Sequence, residues 1–118
     1  ELVTNGDFSD GSTGWVLRAD STVVGEKVVV AGGDAGQGGM YQPNFLTAGL
    51  SYQYKFEILD YTSGVVTLVD IVGAPQFSTE ESFTFTGVQS NRNLAFFTSN
   101  PSFLSMDNVS VKRIIEVA

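Results

Sequence analysis

The stretch Leu50-Ser51-Tyr52-Gln53-Tyr54-Lys55-Phe56-Glu57-Ile58-Leu59 decides the fold. Every second residue, from Leu50 through Tyr52, Tyr54 and Phe56 to Ile58, is apolar or aromatic. The interleaved Ser51, Gln53, Lys55 and Glu57 are polar, and only Leu59 breaks the alternation. Side chains of an extended chain point alternately to two sides, so this is a strand with one face on a core and the other toward water. Working outward, Phe83 and Phe85 alternate with Ser82, Thr84 and Thr86, and Val109 and Val111 flank Ser110. Val28–Val29–Val30 and Val65–Val66–Thr67–Leu68–Val69 are β-branched runs of strand length. Asn5-Gly6, Asp10-Gly11, Ala48-Gly49, Ser63-Gly64 and Asn100-Pro101 are turn signals between them. No window sustains a helical period without a glycine or a β-branched cluster. The chain therefore reads as all-β, an antiparallel β-sandwich of eight or nine short strands.

At 118 residues the natural reading is one domain over 1–118, because two cores cannot be built at this length. The chain starts at Glu1 without a methionine, as a processed or excised piece would. Six basic against 13 acidic side chains give a net charge of −7, which argues against nucleic acid and anionic membranes as partners. No apolar run reaches the roughly 18 residues of a membrane span. There is no cysteine, hence no disulfide, thiolate nucleophile or zinc–sulfur site. There is no histidine either, which removes the usual general base and nearly every transition-metal catalytic site. The expectation is a protein that is not an enzyme.

The acidic pairs do not change that expectation. Glycoside hydrolysis needs two carboxyl groups facing each other about 5–9 Å apart. Neighbours such as Glu80 and Glu81 on a strand would point to opposite faces. Asp7 and Asp10 lie in a turn-like segment, where Asp bonds its own backbone. The glycine-dense segment Gly32 to Gly39 lacks the spacing of a phosphate loop and reads as a mobile loop between strands.

Several segments, taken in order, resemble a known family. They are Leu2-Val3-Thr4-Asn5-Gly6-Asp7-Phe8-Ser9-Asp10-Gly11 with Gly14-Trp15, Met40-Tyr41-Gln42, Leu46-Thr47-Ala48-Gly49-Leu50-Ser51-Tyr52, Phe83-Thr84-Phe85-Thr86 and Phe103-Leu104-Ser105-Met106-Asp107-Asn108-Val109-Ser110-Val111. Together they are similar to carbohydrate-binding modules of families four, nine, sixteen and twenty-two, which are jelly rolls of the galactose-binding-domain-like type. The resemblance implies that strands near Leu2 and Val111 are neighbours, with Phe8 and Trp15 as core aromatics. It also implies a structural calcium ion, since Asp107 matches the family's metal-binding aspartate and Asp7 or Asp10 could supply a second carboxylate. Ser9 stands where the family carries a glutamate calcium ligand.

Sugar sites combine an aromatic platform with planar polar side chains, because C–H faces stack on rings while hydroxyls need donors and acceptors. Phe97 is the leading aromatic: if Leu94 and Phe96 face the core, alternation turns Ala95 and Phe97 outward. Tyr41 and Phe77 join it from strand ends or loops, and Gln42, Gln76 and Arg92 are the polar groups to set beside them. Two functions are expected on this basis. The first is a non-catalytic module binding a polysaccharide or other glycan, within a larger secreted or surface assembly. The second is a structural or adhesion module with protein partners in a virion, such as a phage capsid decoration or tail protein. Either would place the chain outside the cell, on a cell surface or on a virion surface.

Overall fold

The computed structural model describes residues 2–32, 38–98 and 102–114. The described strands, in chain order, are β1 (Val16–Leu17), β2 (Ser21–Val23), β3 (Val28–Gly32), β4 (Gly38–Gln42), β5 (Ser51–Ser63), β6 (Val66–Leu68), β7 (Gln76–Phe77), β8 (Ser82–Val88), β9 (Leu94–Thr98) and β10 (Ser102–Arg113). Among the described residues there are thus ten strands rather than eight or nine, the difference being short edge pieces of two or three residues. They form two five-stranded antiparallel sheets, β1-β4-β9-β6-β7 (sheet A) and β2-β3-β10-β5-β8 (sheet B). No described helix is long and apolar enough to cross a membrane.

Between the sheets the alternation of β5 is realised as read: Tyr52, Tyr54, Phe56 and Ile58 are buried, while Lys55 is exposed. Opposite them lie Met40 of β4, Leu94 and Phe96 of β9, and Val66 and Leu68 of β6, all buried. The Phe56 and Phe96 rings meet edge-on across the sandwich, 5.2 Å between centroids, a favoured aromatic geometry. A buried polar link runs through this core. Tyr54 Oη donates to Gln89 Oε1 at 2.8 Å, and Gln89 Nε2 donates to the Asn93 carbonyl.

The N-terminal segment meets β10, as the resemblance implied, but residues 2–14 do so as turns and loop rather than as a strand, the first strand being β1. Leu2 N–H donates to Val111 O at 3.0 Å and Val109 N–H to Gly6 O at 2.9 Å. A Cβ on Gly6 would fall 2.0 Å from Val109 O, so only glycine allows this approach. Phe8 and Trp15 are both buried, 5.4 Å apart, and Trp15 Nε1 donates to Asn5 O.

Two local readings differ. Glu80 and Glu81 lie in the bend before β8 rather than on a strand, and Glu80 accepts the Tyr61 N–H at 2.9 Å. Gly32 closes β3 while Gly38 and Gly39 open β4. The rest of that expected loop, 33–37, lies outside the described residues, as do Asn100 and Pro101.

Candidate functional site

Directly opposed residues in antiparallel strands point to the same side of a sheet, so the register of sheet A defines its outer face. Gly39 pairs with Phe97, Phe97 with Thr67, and Thr67 with Gln76. On the other flank Arg18 N–H donates to Gly39 O at 2.9 Å, which continues the register past β1. One row, Arg18–Gly39–Phe97–Thr67–Gln76, therefore runs from the residue just after β1 across β4, β9, β6 and β7. Four inter-strand spacings of about 4.8 Å make it roughly 19 Å long. A second row, Val16–Tyr41–Ala95, runs beside it.

Phe97 faces outward, as alternation required, because Leu94 and Phe96 take the core side. Its ring is half-buried, and the Arg18 guanidinium carbon stands 3.5 Å from the ring centroid. Arg18 Nη1 also donates to Gly38 O at 3.0 Å. Gly39 makes this stack feasible. Its φ is 110°, and a Cβ added there would fall 1.9 Å from Phe96 O, so no side chain can stand between Arg18 and Phe97. Burial pulls the Arg18 pKa below its usual value, and the neighbouring Tyr41 phenol acts the other way. Arg18, Tyr41 and Phe97 thus form one cluster of two rings and a guanidinium plane. Nothing in the sequence singles out Arg18, since its role depends on pairing with a glycine 21 positions away.

The remaining candidates divide by face. Gln76 is exposed on edge strand β7, at the end of the first row. Gln42 belongs to the inner face and is only 5% exposed. Its amide is saturated by Thr4, accepting the backbone N–H at 2.9 Å and donating to the carbonyl at 2.8 Å. It is a tie between β4 and the N-terminal segment rather than a ligand contact. Phe77 also turns inward, with ring centroids 4.6 Å from Phe83, 5.0 Å from Phe56 and 5.3 Å from Phe85. On a two-residue strand, Gln76 and Phe77 must face opposite ways. Arg92 is exposed in the loop entering β9, where its carbonyl accepts from Phe45 and Leu46 N–H. It stands five residues from Phe97, roughly 17 Å along a strand, and so lies outside the cluster.

The three aspartates come from the segments that join the chain ends. Asp7 Oδ1 accepts from Ser9 N and Oγ, which holds its carboxyl below the usual range. Asp10 is exposed, with its backbone N–H on Asn5 Oδ1. Asp107 lies at a bulge of β10 and is raised, first by burial and then by the carboxylates of Glu57, Asp7 and Glu26, against the lowering bond from Asn108 N–H. Asp7 and Asp107 are therefore within electrostatic reach of each other. Among the described residues no three acidic side chains converge as a ready-made metal site.

No protein-family model and no curated protein sequence matches this chain. Solved structures match its fold. The mannan-binding module of Man5C aligns over 87% of this chain and 95% of its own, with a TM-score of 0.59 and 13% identity. The family-22 binding and catalytic modules of Clostridium thermocellum xylanase 10B, complexed with xylohexaose, align over 92% of this chain, with a TM-score of 0.54 and 14% identity. This chain spans only 27% of that xylanase fragment. The N-terminal cellulose-binding domain of Cellulomonas fimi β-1,4-glucanase C aligns over 99% of both chains, with a TM-score of 0.50 and 19% identity. At these identities the likeness is one of fold alone, a two-sheet antiparallel sandwich compatible with a jelly roll.

Proposed function

We propose that the chain is a non-catalytic carbohydrate-binding module that receives a glycan chain across the outer face of sheet A. The observation that carries this reading is the row Arg18–Gly39–Phe97–Thr67–Gln76, flanked by Tyr41. It provides aromatic and guanidinium planes for C–H faces, and hydroxyl and amide groups for sugar hydroxyls. The fold shared with modules named for mannan and cellulose binding supports it. The absence of histidine supports a role without catalysis. In this reading the module belongs to a larger secreted or surface assembly. Titration with mannohexaose, xylohexaose and cellohexaose, repeated on Phe97→Ala, is the test. Binding that Phe97→Ala weakens is expected, and no binding of any of the three by the wild type would overturn the reading.

A structural calcium ion is a second part of the proposal, placed at Asp7 and Asp107. Asp107 is raised first by burial and then by neighbouring carboxylates, Asp7 among them, and a divalent cation there would offset both. Two carboxylates are fewer than the six to eight oxygens calcium takes, so backbone carbonyls of the 5–10 segment would have to complete the set.

A further inference from the structure

The opposite face of the molecule carries a second feature that alternation does not explain. Phe103 lies on β10, the central strand of sheet B, yet it points outward and is 45% exposed. Its register partner Ala31 on β3, the half-buried Val29 and the buried Ser105 line, beside it, a trough of about 320 Å³. The far wall is a Lys27–Asp60 ion pair. Lys27 precedes β3 and Asp60 belongs to β5, so the pair reaches over β10 from both sides. A bulge allows this. Phe103 pairs with Ser63 but Ser105 with Leu59, and Asp60 takes a left-handed φ of 51°. Bulges re-aim side chains and are frequent beside functional sites. The Lys27 ammonium, by hydrogen bond and by charge, holds the Asp60 carboxyl below its usual range, so Asp60 stays ionised at neutral pH.

We infer that this trough is a second carbohydrate site, in which one pyranose ring stacks on Phe103 and sets adjacent hydroxyls on Lys27 and Asp60. The inference rests on the glycan-binding reading of sheet A. The chemistry of the walls selects the ligand. A positive and a negative group side by side are neutral together and favour neither an anion nor a cation. They offer a donor and an acceptor to neighbouring hydroxyls, while the bare ring, Ala31 and Val29 need an apolar face. A pyranose has both. The volume is at the low end of the roughly 300–1,000 Å³ of small-molecule sites, which suits a short glycan segment. A second copy of the chain fits less well. Eight residues line the trough, against about 20–30 per side in a stable protein interface, and each chain carries a charge of −7.

The test is an amide-resolved NMR titration of the chain with mannohexaose, xylohexaose and cellohexaose. Signals of residues 29–31 and 103–105 are expected to shift with a saturation of their own, separate from those of residues 39–41 and 95–97. Phe103→Ala should weaken the first set by about tenfold or more while leaving the second set in place in a protein that is still folded at the temperature of the titration. Lys27→Met should do the same by breaking the neutral pair. Shifts confined to sheet A would overturn the second site and leave the first standing. Shifts confined to residues 29–31 and 103–105 would do the reverse. No shift on either face with any of the three sugars would sink both. Shifts at Phe103 that follow protein concentration without sugar would assign the trough to a second copy and overturn the inference.

Discussion

Phe97→Ala separates a binding role for the outer face of sheet A from a packing role, because the two predict different numbers. The ring is half-buried, so its truncation should forfeit about half of the roughly 3–5 kcal/mol that deleting a fully buried phenylalanine costs. Loss of the Arg18 stack is already part of that sum, at about 0.5–1 kcal/mol for a partly exposed cation–π contact. A total near 2 kcal/mol lowers the melting midpoint by roughly 6–12 °C in a domain of this length. Binding should suffer more than such a loss explains. A central aromatic anchor is worth about 1–3 kcal/mol, or roughly 5- to 150-fold in Kd. Phe96→Ala is the internal standard: that ring is 1% exposed, and its loss should cost about 3–5 kcal/mol. Calorimetric melts and glycan titrations of the two variants, below their midpoints, give both quantities. A Phe97→Ala midpoint as low as that of Phe96→Ala would return the ring to the core. Unchanged glycan affinity in a folded Phe97→Ala protein would refute its role as an anchor.

Gly39→Ala should destabilise by about 2 kcal/mol or more, since a Cβ would lie 1.9 Å from Phe96 O at a φ of 110°; a midpoint within 2 °C of wild type, by the same roughly 3–6 °C per kcal/mol, would contradict the geometry. Tyr54→Phe leaves Gln89 Oε1 without its buried donor and should cost about 1–3 kcal/mol in chemical denaturation, with an unchanged m-value. Asp107 has a folded pKa above its ordinary 3.8, so its ionisation costs stability as pH rises through the folded value and costs nothing below 3.8. In chelator, Asp107→Asn should therefore melt above wild type at pH 7 and level with it below that limit. Millimolar calcium should raise the wild-type midpoint alone, by the equivalent of about 2.7 kcal/mol at a hundredfold excess over Kd, and coincident wild-type melts in calcium and chelator would remove the ion.

The strands that form the core were legible because their signal is local. Tyr52 to Ile58 and Phe83 with Phe85 alternate at the period of a pleated chain, and burial follows that period in the structure. The short pieces were not legible, since two residues such as Val16–Leu17 or Gln76–Phe77 carry no period. Phe77 follows from this. With no alternation to fix its side, an aromatic close behind a proline reads as a loop residue, whereas pairing with Val66 turns it toward Phe83. Gln42 fails for a related reason. Its inward direction follows from Met40, two residues earlier, but a glutamine on a core face is recognisable only with its partner Thr4 in place.

Sites on a sheet face are set by register between strands far apart in sequence. Phe97 could be turned outward from its own strand, yet its ring environment depends on which residue stands beside it on β4. That residue is Gly39, and a glycine there converts an exposed ring into half of a stack with Arg18. The same logic operates on sheet B. Leu59, the one residue that breaks the alternation of the deciding stretch, ends the regular part of β5 and pairs with Ser105. The bulge that follows carries Asp60 over β10 to Lys27, beside the exposed Phe103. An apolar residue on the outward phase of a strand thus marked the place where the surface departs from a plain solvated face. Its meaning became readable only once β3 and β10 were set beside it.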